Sequence, residues 1–354
     1  MSIPSDERQL TFLTKLQRLF SEGDFTATYK FALLIALSDL AVEADAPGDD
    51  EVILSVRQIA DRFIGLYWSH VLPYSAGAAA AQPDILVQNN GRQAAVITAI
   101  ARFRETERLA SFEQARMSPA YSRLVTDVSQ TVSAQPLTYL QNFGGGTDAF
   151  IYERLPQGMI RLKPGVAYCM RRFHGLIQQM ARARWIAHIK ANQQNHIVLG
   201  MADDLEDFLF LTSRQSLMKV GQGLRHLEGT ACFYCAEPIA SEADVDHFVP
   251  YGLYARDLAH NFVLAHPTCN RSKSDTLAAR QHLEKWLTRL DLRADDLAQI
   301  GSEAGVIVDP ACARKVARWC YDSAIQSGSR AWLRAEAYEP VDAAYAACFG
   351  ATPC

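Results

Sequence analysis

Apolar residues recur along most of this chain with the spacing of helices. Residues 25–44 (FTATYKFALLIALSDLAVEA) are apolar on nearly every face, which predicts a helix in the middle of a bundle. Residues 46–50 (APGDD) break it. Residues 55–74, opening SVRQIADRFIGLYW, return to helical spacing; they read as half of a helix-turn-helix or, more simply, as a core helix. An alanine-rich connection at 77–81 precedes another helical pattern at 85–104, and Gly144-Gly145-Gly146 reads as a hinge. Residues 149–155 and 159–162 predict a hairpin around Pro156-Gln157-Gly158, followed by a helix from 164 to about 191. On that helix Phe173, Leu176, Ile177, Met180, Ala183 and Ala187 share one side, with Arg171, Arg172, Gln178, Gln179, Arg182 and Lys190 on much of the other. Further helices are predicted over 203–227, 276–290, 311–326 and 332–349.

The expected fold is therefore mainly α with a small α+β insert. The length of 354 residues allows two or three domains. We expect a helical domain at 1–227, with the hairpin and basic helix at 149–191, a small module at 228–290 and a C-terminal helical segment at 291–354. Apolar residues are 49% of the chain and charged ones 21%, an ordinary globular balance. No uncharged apolar run reaches the length of a membrane span, and MSIPSDERQL does not open like a secretory signal, so a cytoplasmic protein without a membrane partner is expected.

A net charge of −4 argues against a protein that coats nucleic acid by bulk positive charge. A local patch changes that picture. No acid lies between Glu153 and Asp203, whereas Arg154, Arg161, Lys163, Arg171, Arg172, Arg182, Arg184 and Lys190 do. The stretch suits contact with phosphates, and equally a solvated helix face. Cys169, Cys312, Cys320, Cys348 and Cys354 have no repeating spacing and read as small apolar residues.

Specific chemistry is confined to residues 232–275, CFYCAEPIASEADVDHFVPYGLYARDLAHNFVLAHPTCNRSKSD. Cys232 and Cys235 are two residues apart, as are His266 and Cys269. Two such pairs on short loops make a tetrahedral zinc knuckle, and four protein ligands make it structural. His260 is a competing ligand that breaks the spacing. Between the pairs, Asp244-Val245-Asp246-His247 predicts one strand of a hairpin and Asn261-Phe262-Val263-Leu264 the other. A helix beginning with Asn270 would bring Asp246, His247, Asn261 and Asn270 together above the knuckle.

This order of Asp-His, Asn and Asn, framed by paired zinc ligands, resembles the ββα-metal nucleases of the HNH superfamily. The segment DVDHFVP…NFVLAHPTCNRSKSD is also similar to the HNH domain of CRISPR effector nucleases, which have no zinc there. The likeness covers only this segment, with Asn270 in place of the last histidine of the family name and His266 where many relatives have cysteine.

The resemblance implies an endonuclease that hydrolyses phosphodiester bonds. It assigns His247 as the general base, Asp246 and Asn270 as ligands of a catalytic Mg²⁺ or Mn²⁺ with Asp244 assisting, and Asn261 as the residue that orients the imidazole or locks the hairpin. Lys273 and Arg271 would meet nucleic acid, joined by Arg171, Arg172, Arg182 and Lys190 of the basic helix. Histidine titrates near ~6.5, and a carboxylate with an amide suits a hard cation, so the chemistry agrees. DNA is the expected partner, with RNA left open, and a restriction or anti-phage effector the expected role. One site cuts one strand, so a homodimer or partner protein is expected for cutting both. The rival from another class is a non-catalytic zinc-knuckle module that binds DNA and recruits something else.

Overall fold

The computed structural model describes residues 3–44, 51–74, 83–199, 204–240 and 242–350. The expected break at 46–50 and connection at 77–81 lie outside the described residues. The molecule is mainly helical with small sheets, and it divides into two units, Met1–Leu211 and Thr212–Cys354. Glu228, where the second domain is expected to open, is the last residue of a helix that lies within the second unit.

The first unit is built around the apolar segment. Helix α1 (Asp6–Glu22) is followed by α2 (Tyr29–Glu43), in which every residue from Tyr29 to Val42 is buried. A helix without a polar stripe needs neighbours all round. They are α3 (Val56–Tyr67), α6 (Val166–Arg172) and α7 (His174–Ala191). Helix α3 starts at a capping box in which Ser55 and Gln58 satisfy each other's backbone amides. Its Ile59, Ala60, Phe63, Ile64 and Tyr67 are fully buried, so it is a core helix, and a short 3₁₀ turn rather than a second helix follows. Helices α4 (Ala95–Glu107) and α5 (Tyr121–Ala134) complete the bundle.

Strand β1 (Ile53–Ser55) extends the expected hairpin, β2 (Tyr152–Leu155) and β3 (Met159–Leu162), into a three-stranded antiparallel sheet in the order β1-β3-β2. The glycine run is not a hinge. Gly144 and Gly145 take positive φ to turn between the paired segments Asn142–Phe143 and Gly146–Thr147. Nor is 164–191 one helix, because the chain leaves helical geometry at Phe173 (φ −105°, ψ 21°). After that break α7 buries polar side chains that an amphipathic projection places outside. His174 and Gln178 both donate to Asp39 of α2, each at 2.8 Å. Most buried polar groups in folded proteins are paired in this way.

The second unit opens with α8 (Arg214–Glu228) and a knuckle of turns, then β4 (Asp244–His247), β5 (Phe262–Ala265) and α9 (Pro267–Lys273). Helix α9 begins three residues before the expected Asn270, with Pro267 at its first position, where a missing N–H costs nothing. Helix α10 (Arg280–Ala304) leaves helical geometry at Arg293 (φ −130°, ψ 20°), close to the expected edge at 290, and then resumes. It stops at Gly305, whose φ of 74° supplies a left-handed C-terminal cap. Phe248 stacks on Trp286 of α10 at 4.8 Å, placing the core directly beneath the β4–β5 hairpin.

Helix α11 (Pro310–Ser327) stands where the periodicity predicts one. The helix expected over 332–349 is instead a hairpin, β6 (Arg330–Arg334) with β7 (Ala337–Pro340), followed by α12 (Ala343–Cys348). The reason is backbone pairing at long range. Trp332 donates to Leu277 O and accepts from Ala279 N, each at 2.7 Å, which holds residues 277–279 extended and delays α10 to Arg280.

Candidate metal centre and active site

The knuckle is shaped by two tight turns. Ala236 N–H donates to Cys232 O at 2.9 Å with Ala236 at φ 61°, which curls Cys232 and Cys235 toward each other. His266 is the N-cap residue of α9, and Cys269 stands in that helix's first turn. One ligand atom from each of Cys232, Cys235, His266 and Cys269 lies within 4.8 Å of the others. His266 Nε2–H donates to Pro238 O at 3.2 Å, which leaves Nδ1, 3.3 Å from Cys235 Sγ, as the metal-facing nitrogen.

Burial works against ionisation of the Cys232 thiol, but amide donors from Cys235, His266 and Tyr234 bring it down to about 7. Burial and the neighbouring Cys232 and Cys235 sulfurs push Cys269 up to about 12. A set of three sulfurs and one imidazole nitrogen gathered this closely suits Zn²⁺. His260 is no competitor. It is fully buried and donates to Ala294 O at 3.0 Å.

Strand β4 pairs antiparallel with β5, setting Asp246 opposite Val263 and His247 opposite Phe262. Alternation along the strand puts Asp244 and Asp246 on one face and His247 on the other. On the first face, Asn270 of α9 donates its Nδ2–H to Asp244 Oδ2 at 2.9 Å. Asp246 is buried. Its Oδ2 accepts from Tyr234 OH at 2.5 Å, and both its oxygens lie within 3.3 Å of Lys273 Nζ. Lys273 has no exposed surface and also donates to His247 O at 2.9 Å, so its ammonium faces inward, away from any phosphate at the surface. Burial lowers its pKa, against the pull of Asp246, while burial beside Asp246 raises that of Tyr234 well above the usual value.

Asn261 turns both ends of its amide onto Val249, accepting from its N–H and donating to its carbonyl at 2.8 Å each. It thereby fixes the loop after His247. On the other face, the half-buried His247 ring lies 4.7 Å from the ring of Phe262 and 5.4 Å from that of Tyr251. Its Nε2 is 2.5 Å from Asp257 Oδ1. Burial raises the Asp257 pKa, but the hydrogen bonds from His247 and Thr212 more than offset this and hold the carboxyl below its ordinary range. No sequence pattern singles out Asp257. It lies in the irregular segment between the strands, and only folding brings it to the imidazole.

The cations of the basic helix do not share one outer face. Arg171 is buried and donates to Ala41 O, Arg182 is buried over the Phe210 ring, and Arg172 and Lys190 are exposed. Arg271 is exposed on α9.

The family model described as a domain of unknown function, DUF8808, matches residues 9–205, more than half of the chain. The one described as HNH endonuclease matches residues 232–279. No curated protein and no solved structure matches the chain.

Proposed function

The chain belongs to the family of the DUF8808 domain and carries an HNH-type module after it, and from that premise we propose that it is a metal-dependent endonuclease that hydrolyses phosphodiester bonds in DNA. The observation that supports the reading is that α9 reaches β4 twice, through Asn270 to Asp244 and through Lys273 to Asp246, with His247 next in sequence and a four-ligand knuckle in the same module.

Hard oxygen donors from Asp246, Asn270 and Asp244 fit Mg²⁺ or Mn²⁺. A carboxylate has about four lone-pair sites, so Asp246 retains acceptor capacity beyond Tyr234 and Lys273. When bound, the cation would act as a Lewis acid on the scissile phosphate. The knuckle residues would hold Zn²⁺ as a staple. His247 takes a proton from the attacking water as the new P–O bond forms and the bond to the 3′ oxygen breaks. Asn261 holds the loop behind it, and Lys273 pairs with Asp246 inside the fold. Arg271, with Arg172 and Lys190 of the first unit, would meet the nucleic acid backbone. A restriction or anti-phage role in the cytoplasm, with a homodimer or partner cutting the second strand, completes the reading.

One observation favours a second reading, a zinc-stapled binding module without catalysis. Both oxygens of Asp246 already have donors. Supercoiled plasmid separates the two. The zinc-loaded protein should nick or linearise it only with Mg²⁺ or Mn²⁺, and His247→Ala should bind DNA without cutting. Equal cutting by both proteins rejects His247 as the base. Binding without cutting of plasmid, single strands or RNA favours the second reading.

A further inference from the structure

His247 is held by a residue that no motif contains. Asp257 Oδ1 lies 2.5 Å from His247 Nε2, a distance at which the carboxylate accepts the Nε2 proton. Its other oxygen accepts from Thr212 N–H at 3.3 Å, and the Thr212 side chain helps to hold the carboxyl's pKa down. Thr212 is the first residue of the second unit. The Asp257 side chain is only 11% exposed, so a carboxylate there needs donors on both oxygens, and His247 and Thr212 are those donors.

The consequence for the imidazole is specific. A proton kept on Nε2 by Asp257 leaves Nδ1 as the acceptor. The rings of Phe262 and Tyr251 limit where the imidazole can turn. We propose that Asp257 is the positioning residue of His247 and is itself seated by Thr212, so that the tautomer and orientation of the imidazole are set where the chain enters its second unit. Asp257 touches no reacting atom. When Nδ1 takes the proton of the attacking water, the Nε2–H keeps its carboxylate partner and the cationic ring is stabilised in place.

The inference rests on the nuclease reading for its kinetic arm only. Full-length, zinc-loaded protein labelled with ¹⁵N-histidine is compared with Asp257→Asn and Thr212→Val, the His247 signals being those lost in His247→Ala. In the wild type the proton should reside on Nε2. In Asp257→Asn the amide donates to that nitrogen and should move the proton to Nδ1. A wild-type ring protonated on Nδ1, or a ring indifferent to Asp257→Asn, overturns the proposal whatever the protein cuts. In plasmid cleavage, Asp257→Asn should lose about 10–100-fold in kcat with KM nearly unchanged, the scale of losing an orienting partner. Wild-type kcat in that variant also overturns it. Cleavage that survives His247→Ala, or no cleavage at all, counts against the nuclease reading, and the imidazole signals still decide the positioning. Should Asp257→Asn lose zinc or helicity, Thr212→Val takes its place: a partial shift in the same direction supports the proposal, and unchanged His247 signals overturn it.

Discussion

Lys273 and Asp246 form an ion pair with side chains 0% and 8% exposed. Removing one partner of such a pair strands the other charge, which costs about 3–5 kcal/mol. Lys273→Met should therefore lower the unfolding free energy by about that much in denaturant titration of the zinc-loaded protein. Adding Asp246→Asn should recover part of the loss. At the same scale, burial lowers the pKa of His70 to about 4, and lowers those of His188, His260 and His282 as well. A histidine depressed on folding binds its proton more readily in the unfolded chain. Its contribution is complete above the unfolded value near ~6.5 and is lost as pH falls toward about 4. Stability measured by denaturant should be flat above about pH 7 and fall steadily through pH 6 and 5. The His70 share of that fall is about 3 kcal/mol at a cost of about 1.4 kcal/mol per pKa unit. His70→Gln should flatten the slope.

At the scale of elements, the knuckle holds the loop of Cys232 and Cys235 to the start of α9. Structural zinc supplies folding free energy outright. A strong chelator, or Cys269→Ser, should loosen α9 from β4 and β5 and change the fluorescence of Trp286 and Trp332, which lie in the same unit. An unchanged spectrum after complete zinc removal would show that the knuckle is not a staple. Trp286→Ala removes a fully buried ring stacked on Phe248 and should cost about 3–5 kcal/mol by thermal or chemical unfolding.

Across the whole molecule, what the chain reveals before folding depends on the range of each interaction. The four knuckle residues are spaced in two short loops, so their grouping can be read from spacing, and they do converge. The buried α2 is legible for the same reason, since its composition alone demands neighbours. Trp332 is different. Its local pattern suits a helix, and only pairing with 277–279, far back along the chain, makes it a strand. The polar residues of α7 mislead likewise, because Asp39 lies in a helix formed from a distant part of the sequence. Asp257 sits in irregular structure where periodicity says nothing. The placement of the first unit's cations adds a related point. Arg171 and Arg182 serve its interior, so a charge run counted along the sequence overstates the positive surface.

The same distances set a timetable for biosynthesis. Helix α2 is finished at Glu43, but α7, one of the helices that covers it, begins at His174. At ribosomal speeds of about 5–20 residues per second, the nascent chain carries this largely apolar segment for on the order of ten seconds before that cover is made. During that interval a chaperone or the ribosome surface has to shield it, and a chain truncated before α7 would be the form most prone to aggregate.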